Sequence, residues 1–365
     1  MKVDLIAGAR PNFMKISPII DSFRMHQKLG RNIEFRLVHT GQHYDKNMSD
    51  KFFEELDIPM PDVNLGAGGG TQAEQTAKIM IAYEALLLKE PVNLCLVVGD
   101  VTSTMACSIV AKKLNIRVAH VEAGIRSNDM RMPEEINRMV TDSITDYFFT
   151  TSENANDNLR NLGISNAKIF FVGNTMIDTL LKQRSRFIQP PVWQEAMLEK
   201  QKYFVITLHR PANVDEEFKL KKIIDAIIAE SKDMPLIFPV HPRTRMIMDR
   251  LGVNDPRLFL IEPLGYLEFN YLVENCKAVI TDSGGITEET TVMNVPCMTI
   301  RENTERPETV TEGTNLLLGV DPEAIKPAMQ TLFEGKWKKG QIPDKWDGHA
   351  AARILDVLLE MQTTL

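Results

Sequence analysis

The sequence predicts an α/β protein of two doubly wound, parallel-sheet domains in tandem, facing each other across a cleft. Three observations carry this expectation. Short apolar runs rich in Val, Ile, Leu and Phe recur without polar alternation, as in strands covered on both faces. Longer segments of helical character separate them, which is the order of βαβ units. A length of 365 residues suits about two domains.

The first series of runs covers 3–7, 35–40, 94–98, 118–121, 147–150 and 169–172, with helices expected at 14–27, 72–88, 102–113 and 134–146. The second covers 204–208, 236–240, 258–261, 278–281 and 297–300, with a helix at 218–230. Residues 182–202, between the two series, hold Gln189-Pro190-Pro191, several charges and no strand. The boundary is placed just before this stretch, near Gly173-Asn174, giving domains 1–173 and 174–348. A last helix, 349–362, follows the loop 338–348 and can pack on either domain.

Composition narrows the function. A net charge of −7 argues against a large basic surface for nucleic acid. An apolar fraction of 44% and a charged fraction of 25% are close to the globular average, which excludes general disorder. No stretch approaches the roughly 20 apolar residues that span a bilayer. Met1 leads directly into a strand and a turn instead of a signal peptide, so a cytoplasmic location is expected. Cys95, Cys107, Cys276 and Cys297 are scattered without a CxxC pair, which suggests neither a disulfide framework nor a zinc ribbon.

Ligands of open α/β sheets bind beyond the carboxyl ends of the strands, so the residues after each run carry the chemistry. The first run is followed by Gly8-Ala9-Arg10-Pro11, with Lys15 beyond. Arg10 and Lys15 are expected to bracket a helix N-terminus, a place that favours a phosphate. Gly99-Asp100 follows 94–98, Glu122-Ala123-Gly124 follows 118–121, and Pro133-Glu134-Glu135 opens a helix. Taken singly, Asp100 reads as a cap for Thr102 or Ser103, and Glu134 as a first-turn carboxylate on a helix dipole. Together, Asp100, Glu122 and Glu134 are expected on one rim. There their repulsion raises at least one pKa and makes a general acid or base.

In the second half, His209-Arg210 follows 204–208, His241 follows 236–240, and Asp282-Ser283-Gly284-Gly285 follows 278–281. The glycines let backbone approach a ligand, and the helix start offers free N–H groups to a pyrophosphate. Glu289, one turn in, can accept from ribose hydroxyls. The alternative is a plain capped helix, with Asp282 or Ser283 as the cap. Arg306 brings a further cation to the same rim. Gly66-Ala67-Gly68-Gly69-Gly70-Thr71 imitates a dinucleotide fingerprint, but Thr71 stands in the place of the third glycine. There is no Gly-Lys-Ser/Thr and no GxSxG, and the histidines are too scattered for zinc.

The ordered set resembles the non-hydrolysing UDP-N-acetylglucosamine 2-epimerases. It runs through Gly8-Ala9-Arg10-Pro11, Thr40-Gly41-Gln42-His43, Gly99-Asp100, His120-Val121-Glu122-Ala123-Gly124, Pro133-Glu134-Glu135-Ile136-Asn137-Arg138, Gly173-Asn174-Thr175, His209-Arg210, His241-Pro242, Thr281-Asp282-Ser283-Gly284-Gly285 and Thr304-Glu305-Arg306-Pro307-Glu308. The resemblance spans essentially the whole chain. It implies a GT-B-like pair of Rossmann-like domains with the terminal helix, 349–365, crossing back to the first. It implies reversible epimerisation at carbon 2 of UDP-GlcNAc to UDP-ManNAc, by elimination of UDP to a 2-acetamidoglucal and re-addition. It requires neither a metal nor a nicotinamide cofactor, and it suggests a homodimer.

By the same resemblance, Asp100, Glu122, Glu134 and His209 are the catalytic set. Arg10, Lys15, Phe269, Ser283, Gly284, Gly285, Glu289 and Arg306 bind substrate or UDP. Gln42, His43, Glu135, Arg210 and His241 match a second, allosteric UDP-GlcNAc site. That site also uses an Arg-Gln pair where this chain has Gly69-Gly70, so weak or absent activation is expected. Competing readings are an epimerase of a related UDP-2-acetamido sugar, a hydrolysing epimerase, a GT-B glycosyltransferase and a non-catalytic nucleotide-sugar binder.

Overall fold

A computed structural model describes residues 1–41, 55–214, 216–240 and 242–363, the side chains of Arg10, Pro11, Pro211, Ala212, Arg243 and Thr363 excepted. The chain divides into two compact units. The first is Met1–Lys182 with Asp344–Leu365, and the second is Gln183–Pro343. The expected boundary at Gly173-Asn174 lies inside the first unit.

The first unit holds β1 (Lys2–Ala7), β2 (Glu34–His39), β3 (Val63–Asn64), β4 (Leu94–Val98), β5 (Arg117–Val121), β6 (Tyr147–Thr150) and β7 (Ile169–Phe171). They form one parallel sheet in the order β3-β2-β1-β4-β5-β6-β7. The second unit holds β8 (Phe204–Thr207), β9 (Leu236–Pro239), β10 (Leu258–Ile261), β11 (Ala278–Thr281), β12 (Cys297–Thr299) and β13 (Asn315–Leu317). These are also parallel, in the order β10-β9-β8-β11-β12-β13. The strands β3 and β13 were not expected. Each is an edge strand of two or three residues, too short to leave an apolar run. Each sheet reverses its winding once, beside β1 and β4 in the first unit and beside β8 and β11 in the second. Such switch points open a crevice at the strand ends.

Helices alternate with the strands: α1 (Arg10–Lys28), α2 (Gln72–Lys89), α3 (Thr102–Lys113), α4 (Pro133–Ile144), α5 (Glu153–Asn161) and α6 (Thr175–Gln183) in the first half of the chain. The later ones are α7 (Val192–Glu195), α8 (Pro211–Val214), α9 (Glu217–Glu230), α10 (Pro242–Arg250), α11 (Tyr266–Asn275), α12 (Gly284–Val292), α13 (Pro307–Thr311), α14 (Ile325–Phe333) and α15 (Ala350–Thr363). No helix among the described residues is long and apolar enough to cross a membrane.

Pro18 sits inside α1 and has no N–H to give the carbonyl of Met14. The hydroxyl of Thr179 on α6 donates to that carbonyl at 2.6 Å. Lys182 then pairs with Asp21 of α1 at 2.5 Å. These contacts explain why α6 stays with the first unit almost to its end. The terminal helix also returns to this unit. Asp178 of α6 accepts from the N–H groups of Ala350 (3.1 Å) and Ala351 (2.7 Å) at the start of α15. The indole of Trp346, fully buried, donates to the carbonyl of Thr151 at 3.0 Å. At the far end, Gln362 of α15 donates to the Asn32 carbonyl.

Candidate active site

In the first unit the switch point is built around the ends of β1, β4 and β5. The helix α1 begins at Arg10, earlier than residue 14 as expected. Asn12 explains this. Its Oδ1 accepts from the N–H of Ala9 (3.0 Å) and Gly8 (3.3 Å), and its Nδ2 donates to the Val98 carbonyl at the end of β4 (2.9 Å). Lys15 therefore lies inside the helix and does not bracket its start. The side chain of Arg10 lies outside the described residues.

Lys15 reaches across β4 and binds Glu122 at 2.6 Å, both side chains largely removed from water. Glu122 sits at φ +70°, a left-handed backbone rare outside glycine. Its N–H and that of Ala123 both donate to the Phe149 carbonyl, which fixes the bend. Gly124 follows at φ +78°, where an added Cβ would lie 2.3 Å from the Ala155 carbonyl oxygen. Such strain, held by its surroundings, is common where a side chain must be aimed.

Gly99 is the centre of this group of residues. A Cβ there would come within 3.4 Å of the Lys15 ammonium and 3.6 Å of the Glu122 carboxylate. Asp100, the next residue, pairs with Arg138 of α4 at 2.5 Å, and its carbonyl accepts from Asn137 at 2.8 Å. Val101 is the N-cap of α3, so Asp100 does not serve as the cap. Glu134 is three and four residues before Asn137 and Arg138. It therefore shares the α4 face that meets Asp100, and it is half-buried. The structure brings Asp100 and Glu122 to one place but gives each carboxylate its own cation. The repulsion expected from the sequence is relieved in this way.

Beneath the site lies a second layer. His120 is fully buried between the carboxylate of Asp142 (2.7 Å) and the carbonyl of Gly99 (2.8 Å). Burial pushes the Asp142 carboxyl up. The hydrogen bond and charge of His120, then the Arg126 guanidinium, outweigh it and hold the carboxyl below its usual range. The Gly99 carbonyl only accepts, so the ring nitrogen of His120 that faces it donates. The other Asp142 oxygen takes the N–H of Gly124 and pairs with Arg126.

Glu135, an expected allosteric residue, is buried and fully engaged. It accepts from the N–H and hydroxyl of Ser127 and the N–H of Asn128, and pairs with Arg138 at 2.7 Å. Its role in this structure is to shape the 127–128 turn and hold Arg138. Gln42, His43 and His241 lie outside the described residues.

In the second unit the corresponding switch point joins the ends of β8, β11 and β12. Asp282, fully buried, accepts from the N–H groups of His209 and Arg210 and from the Asn213 amide. It also pairs with His209 Nδ1 at 2.8 Å. The N-cap of α12 is Ser283, whose N–H goes to Thr281 and whose hydroxyl makes no cap bond. Ser283 thus holds the cap position without a side-chain cap bond, and Asp282 stands before it. A Cβ on Gly284 would lie 3.7 Å from the Arg301 guanidinium and the Glu305 carboxylate, which bind each other at 2.8 Å. Arg210 donates to the Asp282 carbonyl and lies 3.6 Å from Glu305.

Glu289 accepts from the hydroxyl of Tyr266 at 2.8 Å. Burial, with the nearby Glu288 charge, raises its carboxyl to about 7 in spite of that bond. Phe269 is three residues after Tyr266 on α11, on the same face and half-buried. Arg306 is buried and ion-paired with Glu288. Glu308, not anticipated, is raised to about 7 chiefly by burial, and its Oε2 has no hydrogen-bond partner among the described residues. Glu289 and Glu308 are thus both raised in the second unit, and in the first unit burial raises the Asp178 carboxyl. Among the described residues no cluster of His, Cys, Asp and Glu is arranged for a metal ion.

The support residues Asn137, Arg138 and Asp282 stand inside motifs visible in the sequence, one helical turn from Glu134 or beside Ser283. His120 opens the motif that runs to Gly124, whereas Asn12, Asp142 and Tyr266 carry no such signal. They matter through contacts with residues far along the chain.

Comparison with known proteins completes the description. A family model for UDP-N-acetylglucosamine 2-epimerase matches residues 27–359. The chain is 44% identical to the UDP-N-acetylglucosamine 2-epimerase of Methanocaldococcus jannaschii over 98% of this chain and 99% of that protein. It is 39% identical to the UDP-2,3-diacetamido-2,3-dideoxy-D-glucuronate 2-epimerase of Pseudomonas aeruginosa, over 99% and 100%. A crystal structure of the Methanocaldococcus jannaschii UDP-GlcNAc 2-epimerase in complex with UDP-GlcNAc and UDP superposes with a TM-score of 0.87, at 41% identity, covering 99% of this chain and 100% of that one.

Proposed function

The chain belongs to the UDP-N-acetylglucosamine 2-epimerase family, and from that premise we propose that it is a non-hydrolysing isomerase interconverting UDP-GlcNAc and UDP-ManNAc. The observation that carries the reading is the grouping of Glu122 and Asp100 about Gly99, each held by a cation at a sheet switch point. Carbon 2 of the sugar is a weak acid, so proton movement there needs a positioned base, and departure of UDP needs electrostatic help. Asp100, Glu122 and Glu134 form the acid/base set. Lys15 and Arg10 join them on the anionic side of the reaction. The second unit supplies the nucleotide groups. Ser283, Gly284 and Gly285 offer the N-terminal N–H groups of α12 to the diphosphate, with Arg306 and His209. Glu289 accepts from the ribose, and Phe269 faces the base.

The test is proton NMR with UDP-GlcNAc in deuterated water. UDP-ManNAc with deuterium at carbon 2 is the expected result. Free ManNAc and UDP would mark a hydrolysing enzyme. Turnover confined to UDP-2,3-diacetamido-2,3-dideoxy-D-glucuronate would move the substrate toward that of the Pseudomonas aeruginosa relative. No turnover of either sugar nucleotide would sink the enzymatic reading and leave a binder. In the same assay a hyperbolic dependence on UDP-ManNAc alone is expected, because Gly69-Gly70 offer no side chains to a second nucleotide.

Glu289 makes UDP-sugar affinity pH-dependent. Its carboxyl is neutral below about 7 and ionised above it. Ribose hydroxyls donate to the ionised form, so affinity rises with pH through this range and levels off beyond it. For UDP-glucose, whose diphosphate diester does not titrate here, Kd at pH 6 is expected to be about tenfold that at pH 8. Glu289→Gln should flatten the dependence; a wild-type Kd that is constant across the range removes Glu289 from the ribose.

A homodimer is the proposed assembly. On α2, Ile81 and Leu88 are 70% and 69% exposed, with Ala77 and Ala85 exposed on the same face. Such an apolar stripe suits a helix-to-helix contact between copies, and sedimentation equilibrium reads the mass directly.

A further inference from the structure

Asp282 makes more contacts than a structural staple needs, and one of them has a different character from the rest. Its backbone partners, the N–H groups of His209 and Arg210 at 2.9 to 3.1 Å, fix the loop after β8. Asn213 ties the loop further, donating both to Asp282 (3.1 Å) and to the Ile300 carbonyl at the end of β12 (3.2 Å). These bonds hold the chain whether or not residue 209 is a histidine. The contact from His209 Nδ1 at 2.8 Å does not hold the chain; it holds a ring. Asp282 is fully buried, yet the His209 side chain is 64% exposed. One edge of the imidazole is therefore locked to a buried carboxylate, and the opposite edge, Nε2, is left facing outward at the start of α12.

We propose that Asp282 is a positioning residue for the reaction, accepting from His209 Nδ1–H and so presenting Nε2 of that ring to the diphosphate of the substrate. The proposal rests on the epimerase reading above. A ring whose Nδ1–H is already bound to a carboxylate takes its second proton on Nε2. That Nε2–H is a charged donor for an oxygen of the departing UDP, where negative charge develops as the bond to carbon 1 breaks. No covalent step involves the histidine. The same carboxylate, by holding the backbone of residues 209 and 210, keeps the ring at a fixed distance from Ser283, which follows Asp282 directly in the chain.

Asp282→Asn separates the two roles. The asparagine oxygen can still accept from the backbone N–H groups, but its amide nitrogen donates. Turned toward the ring, it requires a bare Nδ1, and the ring's single proton moves to Nε2. The donor to the substrate is then neutral, and kcat is expected to fall roughly 10- to 100-fold, the difference between charged and neutral hydrogen bonds. KM is expected to stay within about threefold.

The readout that a structural role would not move is the long-range proton–nitrogen spectrum of 15N-histidine-labelled protein, with His209 assigned by its absence in His209→Asn. In the wild type Nδ1 is expected to carry a proton; in Asp282→Asn it should not. Addition of UDP should shift Nε2 in the wild type. In a double variant, Asp282→Asn should cost nothing further once His209→Asn is present. A wild-type ring with its neutral-state proton on Nε2, or a further loss in the double variant, overturns the proposal. If Asp282→Asn does not fold, the wild-type spectrum decides alone. These spectra need no turnover, so failure of the epimerase reading in the deuterium experiment is seen separately from failure of this one.

Discussion

Glu122→Gln is expected to lower kcat by about a thousandfold while UDP affinity changes by no more than about threefold. General acid–base groups contribute roughly 10²–10⁴ in rate, and Glu122 has the marks of one. It is aimed by a left-handed backbone at φ +70°, it is 4% exposed, and its carboxylate meets Lys15 at 2.6 Å. Glutamine keeps the shape and loses the charge and the proton chemistry. The proposed nucleotide groups His209, Ser283, Glu289 and Arg306 belong to the other unit and are untouched. Separate Asp100→Asn and Glu134→Gln variants should show the same split between turnover and UDP binding. Isothermal titration with UDP beside the NMR turnover assay measures it. Retained turnover in all three variants would remove the carboxylates from the chemistry. Loss of UDP binding together with turnover would show that they hold the fold of the site instead.

Arg36→Met is expected to destabilise the first unit by about 3–5 kcal/mol, the cost of stranding a buried charge. Asp4 on β1 and Arg36 on β2 are register partners in the parallel sheet. The guanidinium binds the carboxylate in a fork, Nε to Oδ1 at 2.7 Å and Nη2 to Oδ2 at 2.8 Å. Asp4 is wholly buried and Arg36 nearly so. Its Nη1 also reaches Glu90, and Tyr83 donates to Asp4 at 3.0 Å. Burial raises the Tyr83 hydroxyl far above its ordinary value, so it remains a donor. With methionine at 36, only that hydroxyl and whatever water enters would face the Asp4 charge. Of the three tryptophans, Trp346 alone lies in the first unit. In a Trp193→Phe/Trp337→Phe background its fluorescence follows that unit through urea denaturation. Replacing both partners, Asp4→Leu with Arg36→Met, should recover most of the loss, because no charge is then stranded. A single-variant loss under 1 kcal/mol would show that the pair is relaxed by solvent.

The alternation of apolar runs and helical segments was enough to predict two doubly wound sheets, because strands covered on both faces cannot afford polar alternation. The residues after each run located the candidate site for a related reason: only the strand ends of such sheets leave backbone and side chains open to a ligand. Asp100, Glu122, Ser283 and Glu289 were legible in this way. The edge strands β3 and β13 were not, being two and three residues long. The full extent of α1 was hidden too, since its start is set by Asn12 reaching the end of β4, a strand far along the chain.

Charge balance was the least legible property. Three carboxylates near one rim look repulsive in a linear sequence, yet Lys15 and Arg138 come from α1 and α4 to neutralise two of them. Carboxyls that burial raises, such as Glu289, Glu308 and Asp178, look like ordinary helix residues until the packing around them is known. By itself, then, the sequence determined the sheet class, the strand-end positions of the candidate residues and the family. Tertiary structure alone decided which charges are paired, which ring nitrogen of His209 meets Asp282 and which carboxyls burial raises. Apolar periodicity and strand-end placement are local properties of the chain, whereas solvation and Coulomb energy depend on distances between residues that only folding sets.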